Sequence, residues 1–307
     1  MIIDIIGKVY KMADKLFNKG DVIFREGDVG DGFYQLKSGA VGVFVNYGTG
    51  DEIKLRDLEP GQYFGELAVM EVRHRSATVV ALEDGTSVTF VPENEFNAFL
   101  EENPQQIIQF MRQISGQIRE LTKDYNEVNA ALDKLKDPVP QQPDENLFTK
   151  IKKFLSGSQY EKSVEELEQA DHSKGYTTDT VNTYPKGTII FREGEPGKCM
   201  YDIHFGRVGI YSNYGTPEEE LLTELYQNKF FGEMGMIDGE PRSATAVVLI
   251  DDTTLETIYP DDLEKLMKMN PPKVNMIMQH LSYRLRRLTV DYANACEEVK
   301  KLAKWAD

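Results

Sequence analysis

The chain carries the same domain-length pattern twice, without a gap. "FGELAVMEVRHRSAT" begins at Phe64 and "FGEMGMIDGEPRSAT" at Phe231, with Phe, Gly, Glu, Arg, Ser, Ala and Thr at matching places. The offset is 231 − 64 = 167 residues. The same shift brings "IFREG" at Ile23 onto Ile190 and "NYGT" at Asn46 onto Asn213. Leu121-Thr122 and Asp124-Tyr125 fall onto Leu288-Thr289 and Asp291-Tyr292. Two copies of one domain follow, and a solenoid does not, because two long units are not an array of short ones. A length of 307 residues suits two domains.

Each copy opens with short runs of Tyr, Val, Phe and Ile broken by Gly, Asn and Ser, as in "DGFYQLKSGAVGVFVNYG" and "KCMYDIHFGRVGIYSNYG". Many short strands with glycine-rich turns predict a small antiparallel barrel or jelly roll. Each copy closes with a long helix. From Ile107 to Leu135, and again from Val274 to Leu302, apolar or small residues recur in alternating steps of four and three. That is an a/d heptad stripe, which favours coiled-coil pairing. The fold class expected is mainly β with helices (α+β), two tandem β-rolls each followed by a heptad-patterned helix. The domains expected are residues 1–136 and 186–307. Residues 137–185 form a linker, Pro-rich in "KDPVPQQPDEN", with a short amphipathic helix at "LFTKIKKFLSG". The matching seams predict parallel pairing, within one chain as a pseudo-dimer or between chains as a homodimer.

The net charge is −16. Nucleic acid and anionic membranes are bound through Lys/Arg patches, so neither is an expected partner. Cys199 and Cys296 stand far apart without metal-type spacing and read as free thiols of a reducing compartment. No apolar run is long enough to span a bilayer. A cytoplasmic location is expected. The four histidines form no close pair for a metal site, and neither a Gly-x-Ser-x-Gly elbow nor a P-loop is present, so neither metal nor catalysis is expected.

The repeated phrase pairs a carboxylate with an arginine nine residues on. A glycine-flanked turn exposes backbone N–H groups that suit an anion. An arginine from the next strand adds a guanidinium fork for phosphate oxygens. The carboxylate would repel a phosphate, but it suits a sugar hydroxyl of the same ligand. Together they describe a nucleotide.

These two phrases resemble the phosphate-binding cassette of the cyclic nucleotide-binding domain family. "KGDVIFREGDVGDGFYQLKSGAVGVF" and "KGTIIFREGEPGKCMYDIHFGRVGIY" resemble its opening strands. The resemblance covers roughly residues 19–135 and 186–302. It implies that Glu66 and Glu233 bind the ribose 2′-hydroxyl and that Arg75 and Arg242 bind the cyclic phosphate. Gly65, Leu67 and Ala68, and Gly232, Met234 and Gly235, would line the phosphate through their backbone, with Ser76 and Ser243 beside it. The family closes the base off with the C-terminal helix of the same or a partner subunit, which makes Thr122, Tyr125, Thr289 and Tyr292 candidate base contacts. Cyclic AMP is the default ligand, and a hydroxyl after the arginine also suits cyclic GMP.

The copies differ ahead of the arginine, "GEP" in the second and "VRH" in the first. Only "AKWAD" follows the last heptad and the opening residues hold no basic stretch, so neither a DNA reader nor a kinase-inhibitory segment is expected. The reading expected is a non-catalytic second-messenger sensor with an unknown protein partner. A cGMP-selective sensor and a nucleotide-independent scaffold are the alternatives.

Overall fold

The computed structural model describes residues 13–71, 73–136 and 180–306. The linker helix expected near residues 147–157 lies outside the described residues. The chain divides into two compact units, each assembled from separate stretches. The first comprises Met1–Gln106, Gln117–Pro138 and Met278–Asp307; the second comprises Ile107–Gly116 and Val139–Ile277.

In the first unit one antiparallel sheet has the order β1 (Ala13–Phe17), β8 (Thr86–Pro92), β3 (Gly32–Ser38), β6 (Tyr63–Phe64). The other runs β2 (Val22–Phe24), β7 (Thr78–Ala81), β4 (Val41–Val45), β5 (Ile53–Leu58). β4, "VGVFV", is buried along its whole length, and its β-branched and aromatic residues suit a pleated surface packed on both sides. The turn after it needs a left-handed residue, which Asn46 supplies at φ 54°. Tyr34 and Leu36, Val41 and Val43, Phe64, Val79 and Val88 bring both sheets into one apolar core. Helices α1 (Glu66–Glu71), α2 (Phe96–Glu102) and α3 (Pro104–Lys136) complete this repeat.

The second repeat has the same plan. Its sheets are β14 (Phe230–Phe231), β11 (Met200–Phe205), β16 (Thr253–Ile258), β9 (Val181–Tyr184), and β10 (Ile189–Phe191), β15 (Thr245–Val248), β12 (Arg207–Ser212), β13 (Glu220–Tyr226). Its helices are α4 (Glu233–Asp238), α5 (Asp262–Met269) and α6 (Pro271–Ala306). β9 pairs antiparallel with β16 from Val181 onward. The second barrel therefore starts inside the stretch expected to be linker: an exposed, mostly polar edge strand carries little hydrophobic signal.

α3 has 33 residues and α6 has 36, about 50 Å each at roughly 1.5 Å per residue. The stripe is buried at Ile107, Met111, Ile114, Ile118 and Leu121 of α3 and at Val274, Met278, Leu281, Leu285 and Leu288 of α6. Further along α6, Tyr292 and Cys296 lie within electrostatic reach of Asp124 of α3, inside the first unit.

Within each unit, a helix that begins in one repeat grips the short helix of the other. In the first unit Gln279 Nε2 donates to the Met70 carbonyl at 2.8 Å, and the Ser282 hydroxyl donates to Glu71. Arg286 Nε adds a 2.6 Å bond to the same carboxylate. In the second unit Arg112 Nε donates to the Ile237 carbonyl at 3.1 Å and the Ser115 hydroxyl to Asp238 at 2.9 Å. Ser115 and Ser282 are repeat equivalents, and so are Glu71 and Asp238. Among the described residues, no helix is long and apolar enough to cross a membrane.

Candidate functional site

The expected site residues of the first repeat converge on one cavity. Gly65, Glu66, Leu67, Ala68, Arg75 and Ser76 all line it, with Phe24, Arg56, Leu285 and Thr289 among the other walls. Its volume is about 500 Å³, the open mouth included.

The arginine is held by three features. Arg75 Nη1 donates to the Gly65 carbonyl at 2.7 Å and Nη2 to Asp31 Oδ1 at 3.0 Å. Its Cζ sits 4.3 Å from the centre of the Phe24 ring, a cation–π contact. Its Nε is buried with no hydrogen-bond partner. An unsatisfied buried N–H of a charged group costs upward of about 1 kcal/mol, and a phosphate oxygen is the acceptor such a donor suits.

Gly65 is required here on two counts. It holds φ at +78°, and a Cβ on it would lie 2.6 Å from Arg75 Nη1. The turn that follows starts α1, whose first amides have no acceptor within the helix. Glu66, first in α1, is 2% exposed. Burial pushes its carboxyl upward, opposed by a backbone hydrogen bond and by Arg56 and Arg75.

The second repeat repeats the construction. Arg242 Nη1 donates to the Gly232 carbonyl at 2.6 Å, and its Cζ lies 4.1 Å from the Phe191 ring. Nε is again buried without a partner. Gly232 has φ +75°, and its added Cβ would meet Arg242 Nη1 at 2.7 Å. Glu233, Met234 and Gly235 open α4, with Glu233 half-buried and Ser243 exposed. The difference lies at Nη2, which donates to the Cys199 carbonyl at 2.7 Å rather than to an acid. The residue equivalent to Asp31 is Lys198.

Of the four candidate base contacts, Thr289 lines a cavity, and it is the first repeat's, joined there by Leu285. Its hydroxyl donates to its own helix at the Leu285 carbonyl, 2.9 Å away. Thr122 likewise donates to the Ile118 carbonyl at 2.6 Å. Tyr125 and Tyr292 are half-buried seam residues and do not line this cavity. Both occupy heptad positions of the long helices. Phe24 and Phe191, Arg56, Asp31, Leu285 and Cys199 escaped the sequence reading. "IFREG", present in both repeats, was the available sign for the two phenylalanines.

The second unit also holds a group of three metal-ligating residues, Asp202, His204 and Glu256. Lys273 already lies among them, its Nζ 2.6 Å from Asp202 and 2.5 Å from Glu256, and wholly buried. His204 Nε2 lies 2.7 Å from Glu256, and hydrogen bonds to Asp202 and Glu256 lift its pKa to about 9. Two cations facing two carboxylates balance the charge, which is how buried ions persist.

The family model of the cyclic nucleotide-binding domain matches residues 14–103 and 181–270. The chain is 27% identical over 237 residues to the cAMP-dependent protein kinase regulatory subunit of Blastocladiella emersonii, covering 77% of this chain and 48% of that one. It is 31% identical over 108 residues to the cyclic AMP receptor protein of Thermus thermophilus, covering 35% and 50%. It thus spans about half the length of the curated relatives it matches. A solved regulatory domain of Toxoplasma gondii PKA with cAMP is 20% identical, with 88% of this chain and 84% of that one covered and a TM-score of 0.28. Two matched stretches, each with its own glycine turn, buried carboxylate or its equivalent, and arginine, place the chain in the cyclic nucleotide-binding domain family.

Proposed function

We propose that the chain is a non-catalytic sensor that binds one cyclic purine mononucleotide in each repeat. In the first, Arg75 holds the phosphate and Glu66 the ribose 2′-hydroxyl; Arg242 and Glu233 do so in the second. The relatives' names make cyclic AMP the default ligand. The observation that carries the reading is the buried Nε of both arginines, unsatisfied on guanidinium groups already fixed by a glycine carbonyl and an aromatic ring. In neither repeat does the cassette glutamate take up that donor. Through Ser282 and Arg286 on Glu71, and Ser115 on Asp238, a shift of either short helix is felt by a long helix, and an unknown protein partner would read it.

Calorimetry with cyclic mononucleotides should show two sites. Arg75→Ala and Arg242→Ala should each weaken one of them by about 2–3 kcal/mol, the range for a charge-assisted bond to a buried anion. No heat and no thermal shift with any cyclic mononucleotide would favour the scaffold reading.

A further inference from the structure

The second barrel gathers four ionisable side chains at a place where the first barrel does without them. Asp202 and His204 stand on β11, Glu256 on β16 and Lys273 in the first turn of α6. Their repeat equivalents are Gln35, Lys37, Thr89 and Gln106, of which Lys37 alone is ionisable, and it is exposed. The same barrel therefore folds without a buried ionic group here. A buried ion pair is often no more stable than a neutral set of similar volume, because each ion is taken out of water. Stability of the fold gives no reason to keep these charges.

The donor atoms are packed much as a metal ion would hold them. Lys273 Nζ lies 2.6 Å from Asp202 Oδ2 and 2.5 Å from Glu256 Oε2. His204 Nε2 lies 2.7 Å from the same Glu256 oxygen and 3.5 Å from the same Asp202 oxygen. Two nitrogens and two oxygens thus form a closed ring from two strands and a helix. Around a zinc ion with bonds of about 2.0–2.1 Å, tetrahedral donors stand about 3.3 Å apart, so shifts of under about 1 Å convert one arrangement into the other.

The charges permit the exchange as well. With both nitrogens protonated, two cations face two carboxylates and the group is neutral. A divalent ion that displaces one proton from Lys273 and one from His204 leaves it neutral again, so no net charge is buried. The amine and the imidazole then each offer a lone pair, and each carboxylate an oxygen. Lys273 and Glu256 are wholly buried, whereas the His204 side chain is 16% exposed and is the edge by which an ion enters.

We propose that Asp202, His204, Glu256 and Lys273 form a closed four-coordinate site for a zinc-type divalent cation. The ion replaces two protons and pins the first turn of α6 to β11 and β16. Magnesium and calcium are excluded, since they require six or more ligands, mainly oxygen. None of the four residues lines the first cavity or belongs to either cassette, so the site stands apart from nucleotide binding.

The test titrates the full chain, freed of metal by chelation, with zinc and with cobalt at mildly alkaline pH. Zinc is expected to bind at micromolar concentration or below and to release about two protons per ion, read by calorimetry in buffers of different ionisation enthalpy. Cobalt should give the strong visible absorption of a four-coordinate site without a thiolate band, which separates it from Cys199 and Cys296. His204→Gln and Asp202→Asn should each weaken zinc binding by at least about tenfold, since even outer-shell changes cost that much. In His204→Gln the release should fall to about one proton. If neither variant folds, the proton release and cobalt spectrum of the wild type decide the matter. No zinc binding at micromolar concentration, release of fewer than about two protons, a thiolate band, competition by magnesium, or undiminished affinity in the variants would overturn the site.

Discussion

The two phosphate arginines differ in one neighbour. Asp31 holds Arg75 from a mostly exposed position, while the second repeat places Lys198 there and uses a carbonyl on Arg242. A carboxylate at that point both repels a bound phosphate and competes for the same guanidinium. Asp31→Asn is expected to tighten the first site about two- to fivefold, the scale of a partly exposed charge pair, and leave the second unchanged. Separate readout in Arg242→Ala and Arg75→Ala backgrounds checks it. At His204 the prediction concerns pH. Its folded pKa is raised to about 9, above the ordinary 6.5, so its protonated form stabilises the fold. That contribution is complete below about pH 6.5 and disappears as pH rises through about 9, amounting to roughly 3 kcal/mol at most. Urea unfolding of wild type should lose stability across that window, and His204→Gln should flatten the loss. Parallel curves for the two proteins would show that the imidazole is not charged in the native state.

At the scale of an element, the short cassette helices sit where glycine lets another backbone come close. A Cβ on Gly197 would lie 2.4 Å from the Gly235 Cα at the first turns of α4, and one on Gly30 would lie 2.4 Å from the Ala68 Cβ on α1. Backbone cannot step aside as a flexible side chain can. Gly197→Ala should therefore displace α4, at about 1–3 kcal/mol in stability, and weaken the second site while sparing the first. Chemical denaturation with site-resolved titration would show both effects; unchanged second-site affinity would mean that α4 need not be held so closely. The long helices are built on another principle. Their heptad stripes are continuous, and the cassette contacts use residues between stripe positions, such as Gln279, Ser282 and Arg286.

At the scale of the whole molecule, the first site is walled partly by the second repeat. Leu285 and Thr289 of α6 line the cavity formed by β2, β5 and α1. Leu285→Ala with Thr289→Ala should therefore weaken nucleotide binding at Arg75 by about tenfold, taking one buried apolar side chain at roughly 1.5–3 kcal/mol as the guide. The affinity at Arg242 should be unaffected. A drop confined to the second site would place α6 on the wrong cavity.

The sequence alone determined the duplication, the barrel class and the cassette, because those depend on local chemistry. A left-handed glycine, the carboxylate after it and an arginine nine residues on keep their spacing wherever the domain is placed. The heptad stripes were equally plain, since a 3.5-residue period is a property of one helix. What only the tertiary structure decided is which residues meet across distance. Both seams present similar side chains position for position, so sequence could not say that α6 would close the first repeat's cavity. Arg56 lies on an unremarkable strand, "IKLRDL", and becomes legible only when folding sets it beside Glu66. Asp202, His204, Glu256 and Lys273 stand on two strands and a helix, and each reads as a surface residue until the barrel buries them together. Burial and long-range pairing change the energy of a charge by several kcal/mol, and neither is written in local order.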